Sequence, residues 1–407
     1  MMKDGWELKR LGELTRIKGG KRVPLGNKLS PIPTTHPYIR VSNFDNKGSI
    51  DMSDIQYISD EVYESIKNYT ITDKDIYISI AGTIGKAGII PSELNGANLT
   101  ENACKLVLDS RTDRYYLLYY IMSPDFQNQA GLNVRTVAMP KLALTRLSNI
   151  IIPHPPLAEQ KKIAALLDDV LSRIDKAREN IEKNVKYAEK LFLSKSNKVF
   201  TEILETYGSV KLESITELIT KGSSPKWQGV NYTKEPGILF VTSENVSKGH
   251  MDFSVKKYVE SRFSDIERKS VLKKGDVLTN IVGASIGRTA IYTGNEIANI
   301  NQAICLIRCN SIKISNTYLM YLLNSPYFIQ VLHDNEIDNA RANLSLSFFR
   351  NLTIPCPSLE VQQDTVAELD ALEKQRSALT NLYTQKLQAL DELRNSLLEK
   401  AFRGELT

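Results

Sequence analysis

The stretch GTIGKAG, Gly82 to Gly88, has the residue types of a phosphate-cradling loop, in which backbone amides and a lysine grip a polyphosphate. Its spacing is wrong for that chemistry. A GxxxxGK[ST] loop needs a glycine where Ile80 stands and a hydroxyl where Ala87 stands. A second stretch, ending Gly287-Arg288-Thr289, fails in the same way. Two readings remain: a tight strand-to-strand turn that needs positive φ at glycine, or a loop that brings Lys86 or Arg288 close to a polyanion. Hydrolytic and metal chemistry find no better footing. Asp252 with Glu267 and Lys269 imitates an acidic nuclease set, but Glu267 and Lys269 fall in a charged segment of helical character, and the first half holds nothing comparable. His36, His154, His250 and His333 show no Ser/His/Asp grouping and no metal-ligand spacing. Cys305 and Cys309 lack two further ligands, so buried thiols are expected rather than zinc. No [ND]PP[YF] motif of an amino-methyltransferase occurs. The chain therefore reads as a binding protein without an active site of its own.

The residue types left over are those that read duplex DNA. In the first half, Lys18, Lys21, Arg22, Arg40, Asn43, Lys86 and Arg135 lie in or near expected loops. The second half offers Lys221, Lys226, Trp227, Asn245, Arg288, Arg341 and Asn343. Arginine, lysine and asparagine can bond guanine and adenine edges in pairs, while phosphate contacts fix register. Lys18-Gly19-Gly20 and Lys221-Gly222-Ser223 recur at places that look equivalent.

The elements that must position these residues are written twice. KGSID (Lys47 to Asp51) returns as KGHMD (Lys248 to Asp252), and IAGTIGK (Ile80 to Lys86) as IVGASIGR (Ile281 to Arg288), with one residue inserted. ANLTENACK (Ala97 to Lys105) matches ANINQAICL (Ala298 to Leu306), and Ser123-Pro124 matches Ser325-Pro326. NIIIPHPPLAEQ (Asn149 to Gln160) matches NLTIPCPSLEVQ (Asn351 to Gln362). A repeat of this length is one folding unit, duplicated and diverged. Each copy opens with short β-type runs such as Ile76 to Ile80 and Asp276 to Asn280, then a helical stretch near Tyr115 to Met122 or Thr317 to Leu323. Pro153, Pro155 and Pro156, and later Pro355 and Pro357, are expected to end the globular parts.

Beyond the prolines each copy runs for some 40 residues without glycine or proline. Ile163, Leu167, Val170, Ile174, Ala177, Ile181, Ala188 and Leu191 step by three and four, as do Leu369, Leu372, Leu379, Tyr383, Leu390, Leu393 and Leu397. Asn184 and Arg376 break the stripes. That spacing predicts two coiled-coil helices. Residues 157–203 carry 10 basic and 8 acidic groups, residues 357–407 carry 6 and 9, so the helices favour each other over themselves. The fold expected is α+β: domains at 1–156 and 204–356, with helices at 157–203 and 357–407 pairing as an antiparallel coiled coil.

Whole-chain numbers agree with this. At 407 residues, 42% apolar and 24% charged, the chain is globular and multidomain rather than disordered or fibrous. A net charge of +5 permits nucleic acid without demanding it. The longest apolar run, Tyr115 to Met122, is too short to cross a bilayer, so no membrane association is expected. The N-terminus has no apolar signal core, and four cysteines form no framework, which points to reduced thiols in the cytoplasm.

The order of domain, proline cluster and long helix, given twice, resembles the specificity subunit of Type I restriction–modification systems. WELKRLGEL and VKLESITELI resemble openings of its target-recognition domains, and IPHPPLAEQKKI and IPCPSLEVQQDTV resemble its proline-rich approach to the helices. LLEKAFRGEL is similar to the family's ending, with LFLSKSNKVF a weaker counterpart that lacks the alanine and glycine around the phenylalanine. The resemblance implies a non-catalytic subunit whose two domains each read one half of a bipartite asymmetric target on double-stranded DNA. Its helices would set the spacer and dock two methyltransferase (M) subunits, which bind S-adenosylmethionine. Restriction (R) subunits, which use ATP and Mg, would join them, and this chain would hold none of those cofactors. A coiled-coil adaptor that never touches DNA is the alternative.

Overall fold

The computed structural model describes residues 4–45, 47–131, 141–234, 237–336 and 342–406. The chain divides into two compact units: Met1–Ile181 with Gln385–Thr407, and Glu182–Thr384.

In the first unit a four-stranded antiparallel sheet runs Thr15–Gly19, Ala103–Leu108, Ile76–Ser79, Ala87–Gly88. All four residues of Ile76–Ser79 are buried, so this strand is covered on both faces of its sheet. A three-stranded sheet runs Gln56–Tyr57, Pro37–Ile39, Asn98–Leu99, its last pair parallel. The second unit repeats the first sheet as Thr216–Lys221, Ile304–Cys309, Val277–Asn280, Thr289–Ile291. Its other sheet has four strands, Tyr232–Thr233, Tyr258–Val259, Ile238–Val241, Ala298–Ile300.

Helices follow in each unit at matching places. Asp113 accepts bonds from the amides of Tyr115 and Tyr116 and so starts Arg114–Ile121, while Ser315 starts Asn316–Asn324. The Ser123-Pro124 and Ser325-Pro326 landmarks are N-cap and first helical residue of Pro124–Ala130 and Pro326–Asp334.

Each proline cluster begins inside a strand rather than after one. Pro153 and Pro355 lie inside strands, Ile151–His154 paired with Glu7–Arg10 and Thr353–Pro355 paired with Ser209–Lys211. Each ribbon has only two strands, so the side of the proline that lacks an N–H faces no neighbour and the ladder loses nothing. Tyr116 and Tyr318 donate to the carbonyls of these prolines at 2.7 and 3.2 Å.

The long helices span Leu157–Tyr207 and Leu359–Phe402. A buried glutamine near the start of each ties it to its domain. Gln160 accepts from the Asp113 amide and donates to the carbonyls of Arg111 and Pro155; Gln362 does the same with Ser315, Lys313 and Pro357. Within the first unit, Asp175 pairs with Arg394 at 3.2 Å and Arg178 with Asp391, so these segments run antiparallel. Phe402 then packs edge-on against Tyr116 and Tyr120, with ring centres 5.3 and 5.0 Å away. Within the second unit, Phe200 packs on Tyr318 at 5.6 Å, and Arg376 bonds Glu189 and Glu373. The break in the stripe at Arg376 is thus a satisfied ion pair.

The apolar seam is buried for only part of its length. Ile163, Leu167, Ile174 and Leu369 are buried, but Leu191 is 61% exposed, Leu379 42% and Leu393 47%. The buried members are those that also join a domain core. Two helices alone cover only a narrow strip of each other.

Candidate nucleic-acid interface

The first unit gathers several of the expected DNA-contact residues on two linked turns. Lys21 follows the edge strand Thr15–Gly19; its amide donates to the Leu99 carbonyl, and its ammonium lies 5.7 Å from the centre of the Tyr69 ring. Arg22 bonds Glu101 at 2.6 Å through Nε. Arg40 bonds the carboxylate and carbonyl of Asp54 at 2.6 and 2.8 Å. Arg22 and Arg40 share a shallow depression of about 350 Å³ with Tyr38, Thr100 and Glu101. Burial pulls the Glu101 carboxyl up, but its bonds from Arg22, Thr100 and its own amide outweigh that and hold it below the usual carboxylate range. The depression is therefore charged and partly self-neutralised, with the Arg22 side chain largely in solvent.

Asn43 and Asn245, expected as base readers, are both buried. Asn43 accepts from the Arg40 amide and donates to the Asp54 carbonyl; Asn245 accepts from the Thr242 amide and donates to the carbonyls of Asp252 and Val255. Both amides are committed inside matching turns, and what they supply is the position of the neighbouring loop.

The glycine-rich stretches are hairpin connections. Gly82 and Gly85 have φ of 75° and 87°, Gly283 and Gly287 of 72° and 82°, in the region open to glycine. Lys86 donates to the Phe44 carbonyl at 2.8 Å, which draws the turn against Asn43 and its neighbours. Arg288, its counterpart, is exposed.

Lys18 and Lys221 do not occupy equivalent places, contrary to the sequence expectation. Lys221 lies opposite Cys305, whose counterpart Cys104 lies opposite Gly19; Lys18 lies opposite Lys105. A bulge between Thr216 and Leu218 adds one residue, so the true equivalents are Gly20 and Gly222. Lys18, Lys221, Lys226 and Trp227 are all exposed. Asn343 is half-buried, bridged to Val282, and Arg135 and Arg341 lie outside the described residues.

Sequence reasoning passed over three other exposed apolar residues, Leu25, Ile32 and Tyr232, and the cations Lys28 and Lys234. The signal that could have found them is the absence of acid: residues 18–36 and 221–234 contain no Asp or Glu.

Among the described residues, no group of three His, Cys, Asp or Glu side chains could hold a metal ion. Burial pushes the thiols of Cys104 and Cys309 up to about 12, so neither supplies a thiolate near neutral pH. Among the described residues, no helix is long and apolar enough to cross a membrane.

Comparison with known proteins fits this geometry. The profile of the Type I restriction modification DNA specificity domain matches residues 3–186 and again 205–389. The chain is 26% identical over 373 residues to the Type I restriction enzyme EcoBI specificity subunit of Escherichia coli, covering 86% of this chain and 77% of that one. It is 24% identical to the MjaVIII specificity subunit of Methanocaldococcus jannaschii, over 99% and 93% of the two chains. Among solved structures, a chain from work on complex assembly and conformational transition of the type I R-M system matches over the full length of both, with a TM-score of 0.74 and 20% identity. The HsdS subunit from Thermoanaerobacter tengcongensis matches over 100% of this chain and 98% of that one, with a TM-score of 0.55 and 21% identity. With the specificity domain present twice and the profile matching most of its length, this chain belongs to the Type I restriction modification DNA specificity domain family.

Proposed function

We propose that this chain is the sequence-specific DNA-recognition subunit of a Type I restriction–modification complex, and that each globular domain reads one half of a bipartite, asymmetric target. The observation that carries this reading is a doubled domain whose interior is repeated and whose surface is not. Gln160 to the Pro155 carbonyl and Gln362 to the Pro357 carbonyl are the same buried hydrogen bond, at 2.8 and 2.9 Å, in the two units. Over the outer turns, Lys21-Arg22 of one unit has no match in the Ser223-Ser224 of the other. Shared scaffolds with unlike exposed loops suit two unlike half-sites.

The two long helices act as the spacer and as the dock for two methyltransferase subunits. Exposed Tyr187 and Leu191 on the first helix, and Leu379 and Leu382 on the second, support this, because such side chains suit a partner's surface better than water. Methylation and cleavage belong to partner subunits, with S-adenosylmethionine in the methyltransferase and ATP and Mg in the restriction subunit. This chain supplies recognition only.

Duplex binding by this chain together with its methyltransferase partner tests the reading. Cognate duplex should bind more tightly than scrambled duplex, and log K should fall linearly with log salt as counterions are released. Equal binding of both duplexes would contradict sequence recognition, and no binding by this chain to either would favour the adaptor alternative.

A further inference from the structure

The segments that follow the first sheet strand of each unit share an arrangement that the reading above does not use. Residues 18–36 hold Lys18, Lys21, Arg22 and Lys28, and residues 221–234 hold Lys221, Lys226 and Lys234, with no Asp or Glu in either. Each segment leaves its sheet through a glycine that has no room for a side chain. A Cβ on Gly20 would lie 2.1 Å from the Thr100 carbonyl oxygen, and one on Gly222 would lie 1.7 Å from that of Ile300. Each then turns at a second glycine in the left-handed region, Gly26 at φ 92° and Gly229 at 64°.

Just before that second glycine, an apolar side chain stands in water. Leu25 is fully exposed and Trp227 is 73% exposed. Each is the fifth residue after its tight glycine, Gly20 or Gly222, and stands one residue before the second glycine in the first unit and two before it in the second. The turns beneath them are fixed. In the first unit Tyr38 donates to the Lys21 carbonyl at 2.8 Å, Arg22 bonds Glu101, and the Asn27 amide bonds the Pro24 carbonyl at 3.1 Å. In the second, Gln228 donates to Ser223 and Glu267 at 3.0 and 2.8 Å, and Arg262 donates to the Gly229 carbonyl at 2.6 Å.

A single exposed leucine needs no explanation. Here each copy sets an exposed apolar side chain at the same count from its tight glycine, in a segment that carries cations and no acid of its own, while Glu101 and Glu267 fold against the turns from elsewhere in the chain. Cations on the flanks suit a phosphate backbone on either side of the tip, and an apolar tip suits the base edges and faces between the two strands.

We propose that Leu25 and Trp227 are the apolar specificity contacts of the two domains, each entering the duplex at its own half-site between phosphates held by the neighbouring lysines. Leu25 has the size to pack on a thymine methyl group. Trp227 has a ring that can stack on a base or wedge a base step open. The proposal rests on the DNA-recognition reading and deepens it, because a leucine in one copy and a tryptophan in the other makes the half-sites unlike.

The test uses the chain assembled with its methyltransferase partner, unchanged and as Leu25→Ala, Trp227→Ala and Trp227→Phe. Both side chains are exposed, so thermal unfolding should match the unchanged chain and exclude misfolding. Methylation rates are measured on cognate duplex and on duplexes with each base pair of the target replaced in turn. Trp227→Ala should lose roughly tenfold or more of its discrimination at one or two base pairs of one half-site only, and Trp227→Phe should recover most of it. Leu25→Ala should do the same in the other half-site. The salt dependence of binding should not change, since no charge is removed. Discrimination unchanged at every position, or a loss spread evenly over all sequences, overturns the proposal. If the unchanged chain shows no sequence preference, the DNA-recognition reading fails as well, and that control separates the two failures.

Discussion

Gly20 and Gly222 show how much of a recognition loop is decided by one missing atom. Their strands run so close to Thr100 and Ile300 that a methyl group would lie 2.1 and 1.7 Å from a carbonyl oxygen, far inside van der Waals contact. Gly222→Ala should therefore destabilise its unit by about 1–3 kcal/mol or more, read as a drop in Tm, while Gly19→Ala, whose Cβ would meet only the Leu144 side chain at 3.9 Å, should cost less. Asn43 and Asn245 make a related case. Replacing either with alanine strands backbone groups in a buried turn and should cost about 1–3 kcal/mol, lowering Tm rather than altering which base is read. The types of these residues were legible in the sequence, but their roles were not. Asn43 looks like an adenine reader until the Asp54 carbonyl is beside it. Arg22 looks unopposed until Glu101, distant in sequence, folds against it. Leu25 was invisible for the converse reason, since a leucine in a sequence gives no sign of being left in water.

The necks where the long helices leave their domains are the best-repeated elements, and they differ in one titratable position. Gln160 touches His154 where Gln362 touches Cys356. Burial lowers the His154 pKa below its ordinary 6.5; Arg111 and Lys9 push the same way, and Asp109 and Glu7 oppose them. The unfolded chain then takes up this proton at higher pH than the folded one. The stability that depends on neutral His154 is complete above pH 6.5 and is lost as pH falls through 6.5 toward the lower folded value. Thermal unfolding followed across that range should show this loss, and His154→Gln should remove it. The helices themselves were readable from heptads and from the absence of proline and glycine. Their exposed stretches were not, because periodicity marks a face without saying what covers it. If the helices set the spacer, inserting one heptad into both should lengthen the non-specific gap of the methylated motif and leave each half-site unchanged. Unchanged spacing would sink the ruler.

Duplication is the property of the whole molecule that the sequence displays most openly, and it carried the fold further than any single motif. Landmarks such as Cys104 with Cys305 hold equivalent strand positions in two units whose surfaces have diverged. The register failed locally, at the bulge after Thr216, because one extra residue in an edge strand leaves no mark on the pattern around it. Function follows from the whole rather than from a site: two scaffolds alike inside and unlike outside, on helices that leave apolar residues uncovered. The most direct measurement is single-molecule methylation mapping of DNA from cells that carry this chain with its methyltransferase, compared with cells from which this chain alone is deleted. A bipartite motif with methyladenine in both unlike halves, present in the first and lost in the second, is the predicted result. An unchanged methylation pattern, with the methyltransferase shown to be expressed and active, would contradict it.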